Sequence, residues 1–271
     1  MGKFSVLMSV YYKDDASYLQ DSLDSIFEQT TTADEVVLVE DGPLTPDLYA
    51  VINHYSHMHK ELKILPLQKN GGLGKALNEG LKHCSYDVIA RMDADDIAKP
   101  ERFRKQLEVM EIHPEYDLVG SWIDEFVDNV EHVTSFRKVP EMPDENIRYA
   151  KSRCPVNHPT VIYRKQAVFD AGCYQTKYFP EDYFLWISML QNGAKIYNIQ
   201  ESLLWFRYSP ETFKRRGGWK YAIDEVKTQL NIYRLGFINI PTLMKNVAIR
   251  FTTRVMPNNV RGIVYKMIRK G

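Results

Sequence analysis

Four apolar runs, separated by segments of helical period and each closed by polar residues, fill the first hundred positions and leave few folds open. The runs are residues 4–10, 36–39, 62–67 and 88–90. Between them, residues 15–29 place Tyr18, Leu19, Leu23, Ile26 and Phe27 on one helical face. Residues 48–57 are a second helical stretch, and residues 71–84 align Ala76, Leu77 and Leu81. Short apolar strands alternating with helices predict an α/β fold, Rossmann-like, with a mostly parallel central sheet flanked by helices on both faces. In such a sheet ligands collect at the carboxyl ends of the strands. The residues standing there are Tyr11 and Tyr12, Glu40 and Asp41, Asn70, and the cluster Asp93, Asp95 and Asp96. One acidic loop is ordinary, but several polar strand ends in one sheet make a site.

The second half is less regular. Residues 118–133 read as strands with a turn near Asp128-Asn129, Asp144 as the N-cap of a helix to Lys151, residues 160–163 as a strand, and residues 181–190 as an apolar helix. Pro100 reads as the first residue of the helix after the aspartates. Beyond Phe213 the pattern is helical, broken at Pro241 and Pro257. At 271 residues the chain can bury one large core or two unequal ones. The widely spaced Cys84, Cys154 and Cys173 lack metal or redox spacing and read as reduced, cytosolic thiols. No secretory segment or membrane-spanning run is legible.

A net charge of zero conceals an uneven distribution. Residues 201–271 hold 14 Lys/Arg against 4 Asp/Glu, and no acid follows Glu225. The expected organisation is one α/β domain over residues 1–217, with halves at 1–98 and 99–217. A basic helical extension then covers residues 218–271. In that extension Val247, Phe251, Ile263, Val264, Met267 and Ile268 alternate with basic residues, which fits an anionic membrane surface or a basic helix packed on its own domain. Interleaved aromatics are too few for a nucleic-acid platform, so no nucleic acid is expected as partner.

The aspartates carry the most chemistry. Like charges side by side at a strand end need a metal ion, an Arg or Lys partner, or bulk water. Asp93-Ala94-Asp95 has the DxD shape, in which carboxylates and diphosphate oxygens share a hard divalent ion, and its place beside the other acids favours metal. Glu40-Asp41-Gly42 can accept from a base N–H or simply turn the chain. Asn70-Gly71-Gly72-Leu73-Gly74-Lys75 lacks P-loop spacing and reads as a tight loop feeding a helix. Glu181 and Asp182 open a helix, where acids suit the dipole and where one could also serve as general base. His158 reads as a structural group or a ligand. Arg207, Arg215 and Arg216 could clamp phosphates or begin the solvated basic tail.

Taken in order, FSVLMSVYY, VVLVEDG, NGGLGKALNEG, ARMDADD, NHPTVIYRK and PEDYFLW resemble the family 2 glycosyltransferases of GT-A fold. The likeness runs over roughly residues 4–217 and is nearest to bacterial enzymes that build capsule or O-antigen repeat units. It implies an inverting, single-displacement hexosyl transfer from a UDP-sugar, galactose or glucose, to a lipid-linked saccharide acceptor. The place of work would be the inner face of the cell membrane. The resemblance puts Asp41 on the uracil, Asp93 on the ribose, Mn²⁺ or Mg²⁺ on Asp95, and the base at Asp182 with Glu181 beside it. Tyr11, Glu40, Asn70, Lys75 and Arg91 become donor-pocket neighbours. Tyr208 stands where some relatives carry a metal-binding histidine, which leaves His158 as the candidate further ligand. The competing readings are a sugar-nucleotide pyrophosphorylase, which should carry a glycine-rich loop after the first strand, and a non-catalytic nucleotide- or membrane-binding module.

Overall fold

The computed structural model describes residues 2–208 and 218–256. Among them the strands are β1 (Phe4–Val10), β2 (Glu35–Glu40), β3 (Leu62–Pro66), β4 (Val88–Asp93), β5 (Ile97–Ala98), β6 (Leu118–Phe126), β7 (Ser135–Arg137), β8 (Ile162–Arg164) and β9 (Ile196–Arg207). The helices are α1 (Ala16–Phe27), α2 (Pro46–Met58), α3 (Leu73–His83), α4 (Arg102–Ile112), α5 (Pro143–Ala150), α6 (Lys165–Asp170), α7 (Glu181–Gln191), α8 (Trp219–Arg234) and α9 (Ile240–Val255). One sheet runs in the order β3-β2-β1-β4-β8-β6-β9-β5, with β7 paired to β6. β3, β2, β1 and β4 are parallel, and β8 runs against both β4 and β6.

β2 is buried at all six positions and β1 at all but one, which explains why both read as continuous apolar runs. Helices α1, α2 and α4 cover one face, where Phe4, Leu23, Leu38, Ile52 and Phe103 meet. α3, α6 and α7 cover the other, around Leu7, Val39, Leu77, Tyr163 and Trp186. The register aligns the strand ends: Val10 pairs with Glu40, and Ser9 with Asp93. This stagger sets the ends of β1, β2 and β4 side by side at one edge.

Three boundaries differ from expectation. A short β5 follows the aspartates, so α4 begins at Arg102 rather than Pro100. α5 begins at Pro143, and Glu145, not Asp144, answers the cap by accepting from the Met142 N–H at 3.3 Å. Residues 158–160 form a turn of 3₁₀-helix, and the strand starts at Ile162. β9 was not anticipated at all.

Candidate active site

Side chains two apart on a strand share a face, so Arg91 and Asp93 meet at the end of β4. The Arg91 guanidinium is 1% exposed and pairs with both carboxylate oxygens of Asp93. Burying a guanidinium costs several kcal/mol unless it is paired, and this fork-to-fork contact provides the pairing. A second buried cation stands behind it. Arg102 donates to the Arg91 carbonyl at 2.7 Å, the Met92 sulfur at 3.1 Å and Gln106 Oε1 at 3.1 Å. Burial, and then the charge of Arg91, push its pKa down to about 9.

The turn after β4 gathers carboxylates faster than it neutralises them. Ligand atoms of Asp93, Asp95 and Asp96 lie within 4.8 Å of one another. Asp96 is fully buried; its Oδ1 accepts the Arg207 N–H at 2.9 Å, and its Oδ2 has no partner. Desolvation and then the charge of Asp93 raise Asp95 to about 6. Burial, followed by Asp95 and Asp93, lifts Asp96 well above the usual carboxylate range. Asp14 joins them: desolvation, with Asp95 and Asp93 adding, raises it to about 7 against a 2.9 Å hydrogen bond from the Tyr11 N–H. Three hard donors around an orphaned buried oxygen fit a divalent cation such as Mn²⁺ or Mg²⁺.

These shifts have a testable sign. A carboxyl raised by folding holds its proton more tightly when folded, so stability is lost as pH rises from the ordinary value through the raised one. For Asp14 and Asp95 that window runs from 3.8 to about 7. His158, lowered by burial and then by Arg91, acts in the opposite sense below its ordinary 6.5, but it is one group against the raised carboxyls of Asp14, Glu40, Asp95, Asp96, Glu181 and Asp182. Without metal, the Tm should be higher at about pH 5.5 than at about pH 7.5, and Mn²⁺ should raise it more at the higher pH. A metal-free Tm that climbs from the lower to the higher pH would contradict this reading of the cluster.

The neighbouring wall is the β2 end and the glycine loop. Asp41, 2% exposed, accepts from the Gly71 N–H at 2.7 Å and the Gly72 N–H at 2.9 Å. The two loops touch so closely that a Cβ on Gly42, itself at φ +85°, would lie 2.5 Å from the Asn70 nitrogen. Lys75 folds back over Gly71, while Asn70 and Tyr11 are exposed. Glu40 is buried and its carboxyl is raised by desolvation.

The opposite wall is the N-terminus of α7. A Cβ on Gly74 would lie 3.3 Å from Glu181 Cγ, so the absence of a side chain there lets α3 and α7 approach. Burial raises Glu181, with Asp182 and Asp93 adding and Arg91 opposing. Burial also raises Asp182, against its own helix N–H groups and the charges of Arg137 and Arg91. A half-buried carboxylate with a raised pKa binds a proton more readily than a solvated one, as a general base must.

The structure therefore brings Asp93, Asp95, Arg91, Asp41, the glycine loop, Glu181 and Asp182 to one edge. One expectation needs correction. His158 stands apart from the carboxylate cluster as a ligand: its Nε2 is 3.0 Å from the Tyr174 hydroxyl, its ring packs against Trp186, and its lowered pKa follows from burial. Arg207 is engaged with protein groups around the acidic turn. Its guanidinium lies over the Tyr18 and Phe126 rings and pairs with Asp21 at 2.8 Å, while its Nε donates to the Asp95 carbonyl at 2.9 Å. It braces the acidic turn from behind, beside a separate cleft of about 530 Å³ that holds none of the catalytic candidates. Arg215 and Arg216 lie outside the described residues. Sequence reading missed Asp14, Arg102 and Arg137, none of which sits in a motif.

A family model described as "Glycosyl transferase family 2" matches residues 5–171. The chain is 40% identical over 266 residues to a UDP-Gal:alpha-D-GlcNAc-diphosphoundecaprenol beta-1,3-galactosyltransferase of Escherichia coli, covering 98% of this chain and 96% of that one. It is also 40% identical over 275 residues to the amylovoran biosynthesis glycosyltransferase AmsE of Erwinia amylovora, covering 99% and 100%. Among solved structures, the mannosyltransferase PcManGT of Pyrobaculum calidifontis, in complex with GDP-Man and Mn²⁺, superposes with a TM-score of 0.66 at 16% identity. That match covers 91% of this chain and 68% of that one. Residues 1–349 of S. aureus TarS give a TM-score of 0.64 at 21% identity, covering 93% and 71%.

Proposed function

Because the chain belongs to glycosyl transferase family 2 and has the GT-A fold, we propose that it moves a hexose from UDP to a hydroxyl of lipid-linked GlcNAc. It is a glycosyltransferase of the kind that builds bacterial surface polysaccharide. The full-length identity to the E. coli galactosyltransferase supports galactose as the sugar and a GlcNAc-diphosphate lipid as acceptor. The observation that carries the reading is the carboxylate cluster after β4: Asp93, Asp95 and Asp96 offer ligand atoms within 4.8 Å of one another, and Arg91, paired with Asp93, also acts on Glu181 and Asp182 at the start of α7.

In this reading the uracil sits beside Glu40 and Asp41, whose carboxylate keeps lone pairs beyond those taken by Gly71 and Gly72. Asp93, fixed by Arg91, accepts from the ribose; Asn70, Lys75 and Tyr11 line the mouth. A divalent ion held by Asp95, with Asp93 and Asp96 beside it, would offset charge on the diphosphate. Asp182 takes the proton of the acceptor hydroxyl as its oxygen bonds the anomeric carbon. The bond from that carbon to the diphosphate breaks, its electron pair leaves with UDP, and the configuration inverts. Glu181 orients the acceptor. No helix among the described residues is long and apolar enough to cross a membrane. The lipid-borne acceptor would be met at the inner membrane surface, where the basic C-terminal region suits anionic lipid.

The direct test incubates the full chain with Mn²⁺, a GlcNAc-diphosphate lipid and, in separate reactions, UDP-galactose, UDP-glucose and UDP-GlcNAc. Mass spectrometry should show one added hexose, with galactose preferred and a β linkage. Transfer of N-acetylhexosamine alone would overturn the donor assignment, and no transfer from any UDP-sugar would overturn the reading.

A further inference from the structure

The α8–α9 hairpin docks on α7 through apolar side chains, Ile232 and Ile238 clustering with Phe184 and Ile187. The seam between its two helices is polar: Glu225, Thr228 and Gln229 of α8 are buried, as is Asn246 of α9. Arg250 and Arg254 both pair with Glu225, and Asn246 donates to Gln229 Oε1 at 2.8 Å. Main-chain carbonyls moor this seam to the body: Asn246 donates to Lys151 O at 2.8 Å, Arg250 to Ser152 O at 2.7 Å, and Thr228 to Phe179 O at 2.7 Å. The outer face is apolar. Trp219, Ile223, Leu230 and Tyr233 fall within an arc of roughly 80° on α8, and they are 65%, 49%, 36% and 37% exposed. On α9, Ile240 and Met244 are 58% and 68% exposed. Phe251 continues that second stripe, and its ring meets Trp219 edge-on at 5.5 Å, which joins the two stripes. Contiguous exposed apolar surface over a buried ionic seam marks a face that is covered in use.

Charge indicates what covers it. Lys220, Lys227, Arg234 and Lys245 are exposed on these helices. The acids of residues 218–256 are Asp224, paired with Lys227, and Glu225, held beneath its two arginines. Residues 257–271 add Arg261, Lys266, Arg269 and Lys270 and no acid. A second copy of the chain would set these cations against one another, whereas an anionic bilayer pairs with them.

We propose that the outer face of the α8–α9 hairpin seats the protein on an anionic lipid bilayer. Trp219, Ile223, Leu230, Tyr233, Ile240 and Met244 enter the boundary between headgroups and acyl chains, and the flanking cations meet lipid phosphates. The inference rests on the membrane-borne acceptor proposed above and deepens it by assigning lipid contact to a built surface rather than to the tail alone.

The test uses the full chain and vesicles of phosphatidylethanolamine and phosphatidylglycerol, with phosphatidylcholine vesicles as comparison. Wild type should sediment with the anionic vesicles. The double variant Ile223→Glu, Met244→Glu should partition at least about tenfold more weakly, since two apolar anchors become charged. Quenching of tryptophan fluorescence by brominated lipid should largely vanish in Trp219→Phe. Both variants should keep the thermal melt of wild type and its transfer to a water-soluble GlcNAc-diphosphate acceptor. Wild-type vesicle binding by the double variant would overturn the proposal, as would a dimeric free protein that this variant makes monomeric. Weakened vesicle binding without transfer to any acceptor, by variant or wild type, would retain the surface and overturn the function instead.

Discussion

Asp182→Asn should lower the transfer rate about a thousandfold while leaving UDP binding and the donor KM close to wild type. The side chain keeps its size and its place at the first turn of α7, but an amide cannot take a proton from the acceptor hydroxyl. General-base catalysis is worth about 10²–10⁴ in rate. Burial already raises the Asp182 carboxyl, and Arg137 and Arg91 hold it in check, so the group is poised to accept and release one proton. Glu181→Gln should cost less in turnover and more in acceptor KM, since Glu181 packs on Gly74 at the cleft wall. Steady-state kinetics with both substrates varied distinguishes the two. Equal turnover for Asp182→Asn and wild type would remove Asp182 from the chemistry.

The second large effect is on stability. Arg91→Met should destabilise the fold by about 3 kcal/mol in urea unfolding, the lower end of the range for breaking a buried pair, because Asp93 is partly reached by water. The variant leaves Asp93, Asp95 and Asp96 crowded with Arg102 as the nearest fully buried cation, and Arg102 is engaged with a carbonyl, a thioether and an amide. Arg91→Lys should recover little, since a point charge cannot replace a two-toothed contact. Mn²⁺ should return part of the loss by neutralising the remaining carboxylates. An Arg91→Met protein as stable as wild type without metal would mean that the cluster is relieved some other way.

Most of the fold legible in the sequence is the part whose strands are buried on both faces. β1, β2 and β4 read as apolar runs because helices cover them above and below; β3, an edge strand with only Leu62 buried, reads by its own apolar residues, and α1 to α3 read by period. β9 was not legible because it is half exposed, passes through Gln200-Glu201, and slips register against β6 near Ser121 and Trp122. The acids at 93–96 and 181–182 stood out because strand ends and helix starts are recognisable places. Asp14 and Arg137 did not, since only the tertiary fold carries them to the cleft. The contacts of the Arg207 guanidinium with Tyr18 and Phe126, far away in sequence, were not legible either. The C-terminal hairpin was legible as helical and basic. Which side faces inward was not, because the pairing of Glu225 with Arg250 and Arg254 exists only after folding.

We propose that the carboxylates after β4 hold a cation against a nucleotide diphosphate. Isothermal titration calorimetry of UDP into wild type and Asp95→Ala, with and without Mn²⁺, tests it most directly. UDP binding to wild type should strengthen at least about tenfold with Mn²⁺, and Asp95→Ala should show no Mn²⁺ effect. Equal UDP binding by both proteins, indifferent to Mn²⁺, would contradict it and leave the aspartates as an acidic turn neutralised by Arg91 alone.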